Sequence, residues 1–293
     1  MLKFVTLLVS ATILGCTYGL MALSYSLIYK ASGMMAFVNP DLMTWGAFLG
    51  WTFYNLMGLP YVVAVLLAGL VMFAIGFLVQ KGVVRNLVKR NVTPMYITLT
   101  MFAMGYVFQN SAQVIWGSTS QKFNSIIPGF MAKIAGIQVR PEALICVGVS
   151  LLIMIALQIF MNKSKLGTAM RAASMDSMAA ESMGVDVSMV NGLSWGLSSM
   201  IIAVAGILCG PIYAVSINLG ASMGAKAFAG AVVGGYGNMI GAIIGGLLMG
   251  FIETFVSGYI SSDFKSLIAY IVLILFLFIR PTGITNERAI QDV

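Results

Sequence analysis

The sequence predicts an all-α, polytopic membrane protein with about eight to ten membrane segments, some of them broken or half-spanning. Three observations support this fold class. Hydrophobic residues make up 60% of the 293 residues and charged residues only 9%, whereas about 25% charged is typical of soluble domains. Apolar runs of about 20 residues, long enough to cross a bilayer as helices, recur along the chain. These runs lack the apolar-polar alternation of barrel strands.

Polar residues, glycine and proline bound each apolar run, and these boundaries give the predicted elements in order. Full spans are predicted at 4–29, 61–79, 94–116, 142–161, from 191 onward, at 237–256 and at 267–279. Pro40 interrupts an apolar run that resumes to residue 57, so we expect a broken helix there. A polar break at 218–224 precedes the segment 225–235, which is too short to cross a bilayer.

A weak internal repeat divides the single transmembrane domain 1–293 into halves at about 4–58 and 195–258. An offset of 191 residues aligns Gly15, Gly19, Gly33, Ala36, Phe37, Gly46 and Gly50 with Gly206, Gly210, Gly224, Ala227, Phe228, Gly237 and Gly241. Broken helices at matching positions are typical of duplicated transporter halves. Two half-helices that both enter from outside would make these repeats parallel.

The net charge of +7 points to membrane orientation and not to nucleic acid, because the basic residues lie in short gaps between apolar runs. With both half-helices entering from outside, ten basic residues lie inside and six outside, as the positive-inside rule requires. The inside set is Lys3, Lys81, Arg85, Lys89, Arg90, Lys163, Lys165, Arg171, Arg280 and Arg288, and the outside set is Lys30, Lys122, Lys133, Arg140, Lys226 and Lys265. Both termini and the polar loop, residues 164–188, are therefore predicted to be cytoplasmic.

The residue inventory argues against an enzyme. The chain has no histidine, its three cysteines lack metal-ligand spacing, and no Gly-Lys dipeptide is present for a nucleotide-binding loop of the Walker type. We therefore expect no catalytic residue, no metal site and no cofactor bound by this chain.

Polar residues inside predicted membrane segments are candidates for a translocation pathway, because ionisable groups are costly there. They are Asn39, Asp41 and Glu253. Asp41 could instead cap the resumed helix, and Glu253 could face water or a neighbouring helix. Trp45 and Tyr236 occupy equivalent positions in the repeat, so they are predicted to flank the pathway.

The polar loop is predicted to hold one short helix. Met175, Met178, Ala179 and Met183 recur at helical spacing, and Gly184 follows as a C-terminal stop. Methionine is common at docking surfaces, so this face either docks on a partner or lies on the chain's own membrane domain.

Several stretches resemble a known family. Met178-Ala-Ala-Glu-Ser-Met-Gly184 resembles the Glu-Ala-Ala-x-x-x-Gly coupling loop of ABC importer permeases, with methionine in place of glutamate. Leu166-Gly-x-Ala-x-Arg-Ala-x-x-x-Asp176, with Ala180 and Gly184, is similar to the loop of branched-chain amino acid permeases. The segments at 224–246 and 33–37 agree with that family, whereas Phe37-Val-Asn-Pro-Asp41 departs from its usual Phe-x-His-Gly-Glu.

The resemblance implies a permease subunit of a bacterial ABC importer for branched-chain amino acids, situated in the inner membrane. It implies four kinds of partner: a second permease subunit (a related paralogue or an identical copy), two cytoplasmic ATPase subunits that bind ATP and Mg²⁺, an extracytoplasmic solute-binding protein, and the lipid bilayer. The residues implied in ATPase coupling are Arg171, Asp176, Met178, Ala179, Ala180 and Gly184. Permeases for urea or short amides have similar sequences. The alternative function is a self-sufficient channel or an ion-coupled carrier, in which Asp41 or Glu253 binds the coupling ion.

Overall fold

The computed structural model describes residues 2–90, 92–127, 132–134, 137–280 and 282–285, and these residues form a helical bundle. The helices are α1 (Leu2–Ser32), α2 (Asn39–Trp51), α3 (Tyr61–Val79), α4 (Arg85–Lys89), α5 (Pro94–Trp116), α6 (Pro141–Lys163), α7 (Lys165–Met175), α8 (Ser177–Ser182), α9 (Val187–Tyr213), α10 (Leu219–Gly234), α11 (Met239–Tyr259) and α12 (Lys265–Ile279). Two π-helical turns, Thr52–Leu56 and Gln80–Val84, extend α2 and join α3 to α4. A short antiparallel hairpin pairs β1 (Ala132–Ile134) with β2 (Ile137–Val139).

Five helices of the described residues are long and apolar enough to cross a membrane: α1, α3 with its continuation to Lys89, α6, α9 and α11. The shorter apolar helices α10 and α12 accompany them, so the predicted polytopic helical fold is confirmed. The predicted span 94–116 is a helix but not one of the five. It carries Gln109 and other polar residues, and Gln109 donates a hydrogen bond to Asn218.

Helix α9 is the centre of the bundle and runs antiparallel to α1. The hydroxyls of Ser24 and Ser198 are 2.5 Å apart, and the Cys209 thiol lies 3.6 Å from the Thr17 hydroxyl. Because α9 follows the polar loop directly, we call the end of the bundle where α9 begins the loop end, and the opposite end the far end. Helix α1 therefore begins at the far end and finishes at the loop end.

This direction corrects the predicted placement of the amino terminus. Lys3 lies at the far end, against the ring of Tyr259 at the end of α11. The last described residues, 282–285, lie at the loop end, where the Thr285 hydroxyl donates to the Gly234 carbonyl. Lys3 and Lys30 thus exchange sides, which leaves the charge bias towards the loop end unchanged. Arg288 lies outside the described residues.

The two half-helices are also oriented differently from the prediction. Gly46 and Gly50 of α2 pack on Ala203 and Ile207, so α2 runs parallel to α9 towards the far end. Helix α10 runs parallel to α1 towards the loop end, since Phe228 contacts Tyr25 and Tyr236 contacts Tyr29. The half-helices therefore run in opposite directions and begin near the middle of the bundle.

A long helix, a break and a half-helix thus follow one another twice, first in α1 and α2 and then in α9 and α10. The two copies run in opposite directions. This is the arrangement of an inverted repeat, in contrast to the parallel repeat predicted. The second break also differs: it covers 214–218, and α10 begins at Leu219, so most of the predicted break 218–224 is helical. Gly33 has a positive φ within the first break, whereas Gly224, its partner at the 191-residue offset, lies inside α10. The division into repeated halves remains a prediction.

Glycines bring α1 and α11 into close contact. A Cβ added to Gly246 would lie 2.5 Å from the Cα of Gly19, and Gly250 approaches Gly15 in the same way one turn further along. Small residues at helix crossings let backbones approach without side chains between them. Gly246 and Gly250 therefore serve helix packing.

Candidate functional site

The polar loop is fixed to the end of α6 by its first helix. The Gly167 amide donates to the Ser164 hydroxyl at 2.9 Å, which caps α7. The Arg171 guanidinium donates to the Met161 carbonyl at 2.5 Å and to Asn162 Oδ1 at 3.3 Å. Arg171 thus satisfies a carbonyl at the carboxyl end of α6, where helices have no internal donor left. Its side chain positions the loop.

The loop contains two short helices, which corrects the single methionine-faced helix predicted there. Asp176 breaks the chain between α7 and α8, and its Oδ1 accepts hydrogen bonds from the Met178 and Ala179 amides, both at 2.9 Å. A side-chain cap of this kind starts a new helix. Gly184, with φ of 86°, ends the second one, as predicted.

Three methionines of the loop face away from the bundle. The exposed fractions are 68% for Met175, 78% for Met178 and 86% for Met183, whereas Ala180 is buried beneath them. They do not lie on the chain's own membrane domain, which was the simpler of the two predicted alternatives. Apolar side chains displayed on a short polar loop are typical of a protein contact surface. We call Met175, Met178 and Met183 the methionine surface.

A buried ion pair lies at the base of a cavity near the far end. The Lys226 ammonium is 2.5 Å from Glu253 Oε1, and the Tyr18 hydroxyl donates to Glu253 Oε2 at 2.7 Å. All three residues line a cavity of about 780 Å³, the far cavity, together with Ser10 at the far end of α1 and Lys265 at the start of α12.

This pair decides between the two predicted environments of Glu253. It lies in the bundle interior and faces neighbouring helices, and its charge is matched by Lys226. Lys226 itself was predicted to lie on the outer side of the membrane, and the structure instead buries it in the bundle, within α10. The two charges lie together because either one alone would be costly in an apolar interior.

A second cavity, the central cavity, is lined mainly by aromatic rings. It measures about 460 Å³ and includes Asp41, beside Tyr25, Phe37, Phe102, Tyr106 and Phe228. Its wall shares Ala221 and Tyr270 with the far cavity, so the two are adjacent. Val38, and not Asp41, occupies the N-cap position of α2. The alternative role predicted for Asp41 as a cap is therefore wrong, and its carboxylate lies beside Gly105 of α5.

The other three predicted pathway residues do not line either cavity. Asn39 is fully buried and donates to the Ser24 hydroxyl at 3.3 Å, between helices. The Trp45 indole donates to the Phe108 carbonyl at 2.7 Å, and Tyr236 packs behind Phe228. Their role in transport remains a prediction, and the structure gives each of them a packing role.

The first turns of the half-helices α2 and α10 meet between the two cavities. The Gly220 amide at the start of α10 donates to the Thr44 hydroxyl of α2 at 3.1 Å, and Gly220 packs directly on the Pro40 carbonyl. Helix starts carry partial positive charge, so this region favours anionic groups.

The described residues contain no group of three or more acidic, cysteine or histidine side chains that could hold a metal ion. Two of the three buried cysteines, Cys146 and Cys209, lie on either side of Thr17.

Comparison with known proteins gives one consistent result. The family model described as the permease component of branched-chain amino acid transport systems matches residues 7–277. The high-affinity branched-chain amino acid transport system permease protein BraD of Pseudomonas aeruginosa is 29% identical over 299 residues, covering 98% of this chain and 97% of the relative. The permease protein LivH of Escherichia coli K12, with the corresponding transport-system name, is 30% identical over 315 residues, covering 100% of this chain and 98% of the relative. No solved structure matches.

Proposed function

The chain belongs to the permease components of branched-chain amino acid transport systems, and we propose that it moves branched-chain amino acids across a bacterial inner membrane as one subunit of an ABC importer. In this proposal the loop end faces the cytoplasm and the far end faces the external binding protein. The clustering of Arg85, Lys89, Lys163 and Lys165 towards the loop end supports this orientation.

The proposal rests mainly on the methionine surface, which lies on a loop that hydrogen bonds attach to the bundle. A docking helix transmits force only if it is fixed to the spans that must move. Arg171 and Gly167 fix α7 to the end of α6, and Asp186 caps α9 by accepting from the Met189 amide at 3.0 Å. A push on α8 by an ATPase subunit is therefore passed directly to α6 and α9.

The two adjacent cavities form the proposed solute route. The far cavity receives the amino acid from the binding protein, and its polar wall, which includes Ser10 and Lys265, suits a zwitterion. The central cavity accepts the aliphatic side chain on its aromatic wall. The carboxylate then passes the two helix starts near Gly220, where partial positive charge favours it.

The carrier alternative is less well supported by the geometry. A coupling-ion site needs a carboxylate with free coordination, but Glu253 already pairs with Lys226 and accepts from Tyr18. Asp41 remains as a carboxylate on the central cavity. Its replacement by asparagine distinguishes the two hypotheses, because only the carrier requires its charge for ion-coupled uptake.

The remaining parts of the importer are supplied by partners in this proposal. A second permease subunit completes the pore, and two ATPase subunits bind and hydrolyse ATP with Mg²⁺. An extracytoplasmic binding protein selects the solute. The permease itself performs no chemical step.

The proposal is tested by ATP hydrolysis of the assembled transporter, stimulated by the loaded binding protein. Replacing Met178 and Met183 together by serine should lower this stimulation by about tenfold, since a few buried side chains carry most of an interface's energy. Met95, which is 70% exposed at the start of α5 and lies outside the polar loop, provides the matched control Met95→Ser. Full stimulation in the loop double variant would remove the main support for docking through the methionine surface.

A further inference from the structure

A third cavity lies at the loop end and belongs neither to the solute route nor to the methionine surface. It measures about 300 Å³, at the lower end of the range for small-molecule pockets. Its wall combines the end of α1, the π-helical turn with α4, the start of α9 and two acidic residues of the polar loop. We call it the loop-end cavity.

Unpaired polar atoms are concentrated in this wall. Among the buried side-chain atoms of the described chain that lack a hydrogen-bond partner, five belong to residues lining the loop-end cavity. They are Gln80 Oε1, Arg85 Nε, Ser188 Oγ, Asn191 Oδ1 and Trp195 Nε1. Only 4% of Gln80 is exposed and Trp195 is fully buried, so bulk water cannot supply the missing hydrogen bonds. Buried polar groups without partners are rare and costly, and a cluster of five indicates a site whose partners come from a ligand.

The backbone of the same wall is irregular. Gln80 begins the π-helical turn Gln80–Val84, and Arg85 follows directly after it. A π-helical turn inside a longer helix is rare, and such turns occur frequently at functional sites. This turn rotates Gln80 and Arg85 relative to a regular helix, and both residues contribute to the cavity wall.

The chemistry of the wall specifies the ligand. Trp195 Nε1 and Arg85 Nε are donors without acceptors, whereas Gln80 Oε1 and Asn191 Oδ1 are acceptors without donors. The ligand must therefore both donate and accept hydrogen bonds.

The charged and apolar side chains of the wall further restrict the class of ligand that fits the cavity. Charges of both signs border the cavity: Lys89 and Arg85 on one side, and Glu181 and Asp186 on the other. Val84, Val88 and Val187 give the lining an aliphatic part.

We propose that the loop-end cavity binds a small zwitterion with an aliphatic side chain, and that this ligand is the transported amino acid itself on the loop-end side of the membrane. The choice of this ligand rests on the proposed function. Its carboxylate pairs with Arg85 and the Trp195 indole, and its ammonium with Gln80 Oε1 and the acidic residues of the polar loop. Small side-chain rotations bring the shielded polar atoms to the ligand.

Binding there links the polar loop to the transmembrane helices. Glu181 belongs to α8, which carries part of the methionine surface, whereas Gln80 and Trp195 belong to the bundle. A ligand that contacts both stabilises one position of α8 relative to α3 and α9. Accumulated solute on the loop-end side therefore slows further transport by holding the loop.

The test uses equilibrium binding of radiolabelled L-leucine to the purified full chain in lipid nanodiscs, without ATP or binding protein. Wild-type chain should bind saturably. Gln80→Met, which keeps the length of the side chain, and Trp195→Phe should each weaken binding by about tenfold, as expected for a lost buried hydrogen bond. Trp116→Phe is the matched control, because its indole donates to the Thr52 hydroxyl at 2.8 Å, far from this cavity.

A second control separates this site from the solute route. Lys265→Met changes the far cavity without breaking its buried ion pair, so binding that responds to Lys265→Met and not to Gln80→Met would place leucine in the solute route and overturn the loop-end site. The absence of saturable binding by the wild-type chain would also overturn it and would leave a water-filled void. If the assembled transporter fails to move leucine but the chain binds it in a Gln80-dependent manner, the proposed function is wrong and the site stands.

Discussion

The stability of the bundle interior should depend strongly on the buried ion pair of Lys226 and Glu253. Their side chains are 9% and 6% exposed, and the charged atoms are 2.5 Å apart. At an effective dielectric constant of about 20, the Coulomb attraction at this distance is about 7 kcal/mol, before desolvation of both ions is subtracted. Removing one partner leaves the other charge buried, which typically costs about 3–5 kcal/mol.

We therefore expect Lys226→Met and Glu253→Gln each to lower the free energy of unfolding by about 3–5 kcal/mol. The double variant carries no isolated charge, so it should recover at least half of that loss. Tyr18→Phe is the graded control: it removes one hydrogen bond to a charged group and should cost only about 1.5–3 kcal/mol.

The measurement is unfolding of the purified protein in detergent micelles, followed by tryptophan fluorescence. Two results would show that Lys226 and Glu253 do not form a coupled, buried ion pair. Single variants as stable as the wild type would mean that the pair does not form, and a double variant no better than the worse single variant would mean that the charges are not coupled.

Three further predictions concern packing, capping and docking. Gly246→Ala forces α11 away from α1 and should cost about 1–3 kcal/mol of unfolding free energy, whereas Gly148→Ala, with open space at its Cβ, should be neutral or stabilising; equal unfolding midpoints in detergent would contradict this. Asp176→Ala should cost about 1 kcal/mol of loop stability and speed amide exchange in α8, and Asp176→Asn should preserve the cap; equal exchange rates in the two variants would argue against a capping role. Stimulated ATP hydrolysis should change little between low and high salt, because docking through Met178 is apolar and screening acts on charges; a steep salt dependence would instead indicate a charged docking surface.

Run length and breaker residues were sufficient to predict the helical membrane fold. Apolar runs of bilayer length identified the spans and Gly184 identified the end of the loop helix. Pro40 indicated a break, which the structure places at 33–38, with Pro40 itself in the first turn of α2. These signals are local, because each depends on a residue's own backbone preference or on the length of its own segment.

The direction of α1 could not be obtained in this way. Lys3 and Lys30 lie at opposite ends of one helix, so reversing it leaves the charge count on each side unchanged. The contact between Ser24 and Ser198 determines the direction, and it joins residues far apart in the sequence.

The environment of the site residues also depends on contacts between residues that are far apart in the sequence. Lys226 looked like a surface charge because its partner, Glu253, lies on the next helix. In the polar loop, the side-chain cap from Asp176 outweighed the methionine periodicity that predicted one continuous helix. The cavities depend on side chains from several helices, and no single stretch of sequence specifies them.

We propose that this permease moves branched-chain amino acids only when ATPase subunits act on its polar loop. The most direct measurement is uptake of radiolabelled L-leucine into proteoliposomes that contain the complete transporter, with ATP at the loop end and loaded binding protein at the far end. We expect accumulation that requires both ATP and binding protein and that is lost in the Met178→Ser, Met183→Ser variant. Leucine uptake by the chain alone, driven by an ion gradient, would contradict it.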